Sequence, residues 1–164
     1  MENTSTLSQP ATVITSAELL KHWLGHRSLT RRVIEAFPEK EFFEFSIGGM
    51  RTFASIVQEL LDIGAPGIRQ IVLGKTEDLG NHKPSATTKA DVLELWDKAT
   101  EEISQLWGQI SDERFHDSIL AFGQYEGTVQ SSIFYYIDNE IHHRGQGYVY
   151  LRSLGIEPPM FWAR

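Results

Sequence analysis

The sequence predicts an all-α protein folded as a four-helix bundle. Four segments of about 20 residues repeat apolar side chains at 3,4 spacing. Helix-start and helix-stop signals bracket them, and no segment alternates convincingly as a strand.

The first segment opens at Thr15-Ser16-Ala17-Glu18, a capping box in which the Thr15 hydroxyl and the Glu18 carboxylate satisfy free amides. Leu19, Leu20, Trp23, Thr30, Val33, Ile34 and Phe37 continue it at helical spacing, and Pro38 stops it. EKEFFEFSIGGM then reads as an ordered connection. A second helix begins near Arg51 and carries Phe53, Ile56, Val57, Leu60, Gly64, Ile68, Ile71 and Val72, with a kink expected near Asp62 because Pro66 lies inside. Residues 74–86 are loop by composition. Thr88 to Asp91 starts a third helix whose seam runs Val92, Leu95, Trp96, Ala99, Ile103, Leu106, Trp107 and Ile110. SDERFHDSILAFGQYEGT is irregular, with a short extended piece at Ser118 to Phe122, and the fourth helix spans Val129 to Leu154 before Gly155 and Pro158-Pro159.

The 164 residues suit one domain: a flexible polar tail over 1–14 and a single bundle over 15–164. The formal charge of -7, without a basic patch to offset it, argues against nucleic acid. With no cysteine the chain has no disulfide, thiolate ligand or thiol nucleophile. The N-terminus lacks the basic and apolar regions of a signal peptide, and no run approaches a membrane span, so the expectation is a cytoplasmic protein without membrane contact.

Candidate chemistry concentrates in the last helix. On a helical wheel His143 falls on the inward strip with Tyr136, Glu140 and Gly147, and His142 lies about 100° away, facing out. Arg144 shares an inward side with Ile133, Ile137 and Leu151 and needs an anionic partner, for which Glu140 is the nearest candidate. Gly145 and Gly147 each cost a helix about 1 kcal/mol, which points to close approach of another helix or to open space above a site. Three other groupings are weaker. His22 and His26 have the i,i+4 spacing of a metal clamp but no third partner, Glu113-x-x-His116 falls in the irregular connection, and His82 sits in a polar loop.

The run EIHHRGQGYVYLRSLGIEPP resembles the C-terminal signature of the DinB/YfiT-like superfamily, whose usual form is close to N-H-x-x-H-H-R-G-Q followed by Tyr-Leu-Arg, Leu-Gly and Pro-Pro. GGMRTFASIVQELLDI is similar to that superfamily's second-helix opening, and Trp23, Arg27 and Thr30 suit its first helix, so the likeness covers residues 17–160. The resemblance implies an up-down-down-up bundle, frequently a homodimer, with a divalent metal held by three histidines. Carried onto this chain those positions are Glu59, Asn139 and His143, so only one of the three is a histidine. A metal-dependent hydrolase or thiol S-transferase is the activity implied. Glu59, Asn139 and His143 would hold nickel, zinc, manganese or iron, and His142 or Arg144 would assist a small-molecule or thiol substrate. The rival expectation follows from the two missing histidines: a non-catalytic dimeric bundle or small-molecule binder that has lost the metal site.

Overall fold

The computed structural model describes residues 13–164; the predicted tail over 1–14 lies almost wholly outside the described residues. α1 (Ser16–Ala36) starts at the expected capping box, with Glu18 N donating to the Thr15 hydroxyl and Thr15 N donating to the Glu18 carboxylate at 2.8 Å. A short α2 (Glu39–Glu44) follows Pro38. α3 (Phe53–Leu73) is capped by Thr52, runs unbroken through Pro66 and closes at Gly74, whose φ of 68° is left-handed. α4 (Lys89–Trp107) is capped by Thr88. A 3-10 turn (Glu113–His116) leads into β1 (Ser118–Ala121) and β2 (Tyr125–Thr128), which pair antiparallel. α5 (Val129–Ser153) completes the chain's helices behind a reciprocal Thr128–Ser131 cap.

The four long helices form the predicted bundle. α1 packs on α4 and α5, and α3 packs on the same two, so α1 and α3 stand on one diagonal. Two apolar clusters fix the directions. One gathers Leu19 and Trp23 of α1 and Val129, Ile133 and Tyr136 of α5 with the late residues Ile68 and Ile71 of α3 and Ile103 and Trp107 of α4. The other gathers Val33 and Ile34 of α1 and Tyr150 and Leu151 of α5 with the early residues Phe53, Val57, Val92 and Trp96. α1 and α5 therefore run one way and α3 and α4 the other, the up-down-down-up order.

Two local readings are corrected. The connection after Pro38 contains a helical turn, held because Phe42 is fully buried between Phe37 and Phe53. The irregular stretch before the last helix contains a two-stranded hairpin, of which the sequence showed only the first strand. Three of the four β2 residues are Glu, Gly and Thr and none is buried, so it carries no alternation to detect. The hairpin is held from outside: the Gln70 side chain of α3 donates to Leu120 O at 2.9 Å and accepts from Phe122 N at 2.8 Å. Among the described residues no helix is long and apolar enough to cross a membrane.

Glycines let α3 and α5 approach closely. A Cβ on Gly147 would stand 2.5 Å from the Phe53 ring, and one on Gly67 would stand 2.5 Å from Tyr136. A Cβ on Gly145 would meet nothing within 4 Å. Of the two alternatives that the paired glycines raised, close approach is found at Gly147, whereas Gly145 lies on the exposed face of α5 and lines none of the clefts. Gly147→Ala is expected to lose about 1–3 kcal/mol through overpacking, more than the helix propensity it gains. Urea unfolding of the variant measures it.

Candidate functional site

Between those two glycine contacts α3 and α5 bring Glu59 and His143 together. His143 Nε2 lies 3.0 Å from Glu59 Oε1, and its Nδ1 lies 2.8 Å from Gln146 Oε1. The other Glu59 oxygen accepts from Arg51, two residues before the helix begins. Burial works against the Glu59 charge, but the Arg51 hydrogen bond and the His143 and Arg51 charges outweigh it and hold its pKa below the usual carboxylate value. Asn139, one turn earlier on α5, is buried, and its amide nitrogen has no hydrogen-bond partner among the described residues. His142 is exposed, as the wheel requires.

Arg144 is committed elsewhere. It is buried against α1, donating to His26 O at 3.3 Å, to the Thr30 hydroxyl at 3.2 Å and to His26 Nδ1 at 2.9 Å. Glu140, its expected partner, stands 4.0 Å away and accepts from Thr30 at 2.6 Å and from Trp23 Nε1 at 3.1 Å. Arg27 completes this group, 3.8 Å from Glu140 and 3.4 Å above the Trp96 ring. Burial lowers the Arg27 pKa to about 10. Glu140 and Asp62, the reserve carboxylates near the site, are both occupied, since Asp62 bonds Gln58 at 2.8 Å and His82 at 2.9 Å. His82 is therefore not a solvated loop residue: the Asp62 carboxylate captures it and folds its loop onto α3.

His22 and His26 do converge, with Nε2 atoms 3.2 Å apart. Both His26 ring nitrogens face guanidinium donors, Arg144 at Nδ1 and Arg164 at Nε2, each at 2.9 Å, so positive groups stand where a metal on this ring would sit. Burial first, then the charges of Arg144, His22 and Arg164, push the His26 pKa down to about 4.

A cleft of about 350 Å³ opens beside Glu59, between α3, α5 and the hairpin. Phe122, Tyr125, Tyr135 and Tyr136 supply aromatic walls, Ile63 and Leu79 aliphatic ones, and Glu59, Glu126, His82, Ser131 and Ser132 polar edges. Tyr136 is buried, and among the described residues its hydroxyl has no hydrogen-bond partner. The Tyr135 pKa is raised by burial and then by the nearby Glu59 and Tyr125 charges. Sequence reasoning missed this cleft and Arg51. The tyrosines of α5 were visible as residues, but the hairpin that turns them into a wall was not.

The metal set implied by the resemblance can be judged by its donors. Glu59 and His143 meet, but both Glu59 oxygens are already engaged, one by His143 and one by the Arg51 guanidinium. Asn139 offers only a neutral amide. Among the described residues no group of three or more His, Cys, Asp or Glu is placed to hold an ion. These residues do not fit a three-imidazole centre.

Residues 1–164 match the model of the DinB family. No curated protein matches the chain. A DinB-like protein from Bacillus cereus ATCC 10987 superposes with a TM-score of 0.74 at 16% identity, covering 89% of this chain and 97% of that one. A DinB-like protein from Bacillus subtilis gives 0.70 at 20% identity, covering 89% and 99%. The mycothiol-dependent maleylpyruvate isomerase gives 0.64 at 12% identity, covering 80% of this chain and 60% of that one. At these identities the structures share a fold.

The His26 environment yields a pH dependence with a definite sign. Between pH 6.5 and about 4 the unfolded chain binds a proton at this ring that the folded chain refuses. Its contribution is complete above pH 6.5 and is lost as pH falls toward 4. Urea midpoints at neutral and mildly acidic pH are expected to diverge in the wild type and to draw closer together in His26→Asn.

Proposed function

Because the chain belongs to the DinB family, we propose that it is a small-molecule-binding member in which the Glu59–His143–Arg51 charge cluster stands in place of a divalent-metal centre. The observation that carries this reading is the 3.0 Å contact of Glu59 with His143 at the wall of the tyrosine-lined cleft. An ion pair with both carboxylate oxygens engaged has no need of a metal to satisfy it. The cleft volume suits a ligand built around a single ring.

The chemistry of the walls selects the ligand class. The cleft is lined by two carboxylates, one histidine already held by Asp62, and no lysine or arginine. Tyrosine faces attract cations through their ring quadrupoles, worth about 0.5–2 kcal/mol according to desolvation. A small amine with a flat apolar body fits these walls; a carboxylate of the same shape meets Glu126 and the tyrosine ring faces.

Isothermal titration with phenethylammonium and with phenylacetate tests this. Phenethylammonium is expected to bind about tenfold tighter or better, and Glu126→Gln to narrow the gap. The reverse order overturns the ligand class, and no binding by either overturns the cleft as a ligand site. Thermal unfolding with nickel, zinc or manganese tests the charge cluster. No rise in Tm is expected. A rise that disappears in His143→Ala would instead support the metal-dependent hydrolase or thiol S-transferase.

A further inference from the structure

The loop between α3 and α4 is fitted to one carboxylate. Asp62 of α3 uses both oxygens: Oδ1 accepts from the Gln58 amide nitrogen at 2.8 Å, and Oδ2 lies 2.9 Å from His82 Nδ1. The Gln58 amide cannot turn over, because its oxygen accepts from the backbone N–H and the hydroxyl of Ser85, each at 3.0 Å. The loop bends to meet this group. His82 holds a left-handed backbone at φ 56°, and a Cβ on Gly80 would stand 2.9 Å from Asp62 Oδ2. A side chain other than glycine is costly at that φ, so the loop spends backbone energy to bring this imidazole here.

The contact with Asp62 fixes the tautomer of the ring. An ionised carboxylate only accepts, so a neutral His82 carries its proton on Nδ1 and keeps a lone pair on Nε2. Among the described residues Nε2 has no hydrogen-bond partner, and His82 lines the aromatic cleft beside Tyr125, Tyr135 and Glu126. Tyrosine faces and a carboxylate attract any cation, whether it bears N–H groups or is fully alkylated. A lone pair backed by the Asp62 charge discriminates, because only a cation with an N–H can donate to it.

We propose that the Asp62–His82 pair is the ammonium subsite of the cleft, where His82 Nε2 accepts a hydrogen bond from a primary amine and so selects it over a quaternary ammonium. The assignment rests on the reading of the cleft as an amine site. Gln58 and Asp62 are positioning residues: they hold the ring and its proton, and Nε2 alone touches the ligand.

Isothermal titration at about pH 8, above the ordinary imidazole range, compares phenethylammonium with its N,N,N-trimethyl analogue. The wild type is expected to favour the primary amine about tenfold or more. In Asp62→Asn the Gln58 amide still donates, so the oxygen of the new side chain stays toward Gln58 and its NH2 group faces His82. The ring proton then moves to Nε2, and the cleft loses its acceptor. Removing one negative charge weakens both cations alike, so the ratio is the readout. It is expected to fall to about twofold or less, with the trimethyl analogue still bound as evidence that the cleft is intact. His82→Asn tolerates the left-handed backbone, keeps the Asp62 charge and is expected to lose the same preference. Equal binding of the two cations by the wild type, or a preference that survives both substitutions, overturns the subsite and leaves the amine cleft standing. Loss of the trimethyl analogue in both variants overturns it as well, since the pair would then support the cleft rather than read the amine. Failure of both cations to bind the wild type overturns the reading of the cleft itself, and the subsite with it.

Discussion

A single buried carboxylate organises the centre of this bundle. Glu140 is 2% exposed and accepts hydrogen bonds from Trp23 and Thr30 of α1, with the guanidinium groups of Arg27 and Arg144 within 4.0 Å. Placing one negative and two positive groups away from water is tolerable only when each is bonded in place. Arg27 meets that demand through Thr100 and the Trp96 carbonyl of α4, and Arg144 through His26 and Thr30 of α1. Three helices are thus tied at one depth by groups that cannot slide without losing partners. Apolar packing alone would leave their rotation and axial position far less determined.

α5 carries this network on one side and the candidate site on the next. Glu140 and Arg144 turn to α1, whereas His143 turns to Glu59 of α3. Gly147 against Phe53 and Gly67 against Tyr136 flank the Glu59–His143 contact, so the helices are close where short polar side chains must meet. The polar residues on the buried side of α5 are therefore divided between two tasks. Holding α1 takes Glu140 and Arg144, and holding Glu59 at the wall of the cleft takes His143.

Much of this was legible in the residues. Capping boxes and stop signals located the long helices because their hydrogen bonds are local. The wheel separated His143 from His142 and turned Arg144 inward, although its hydrogen bonds go to His26 and Thr30 with Glu140 4.0 Å away. What escaped detection depends on distant parts of the chain. Gln70 has no local reason to bond Leu120 and Phe122, and Arg51 reaches Glu59 across the turn into α3. Pro66, expected to kink its helix, sits in an unbroken one. His82 looked like loop, yet it is held by a carboxylate 20 residues away. The resemblance located the metal positions, but the residues standing there change what those positions can do.

The clamp from Gln70 onto the hairpin bears on how the cleft meets its guest. Leu120 and Phe122 are fixed to α3 before anything binds, and the buried Phe122 side chain anchors the wall that Tyr125 and Glu126 extend. A ligand of the proposed kind would therefore enter a room with standing walls. Little ordering entropy would be owed on arrival, and selectivity among candidates would follow from shape and charge rather than from how readily the protein rearranges.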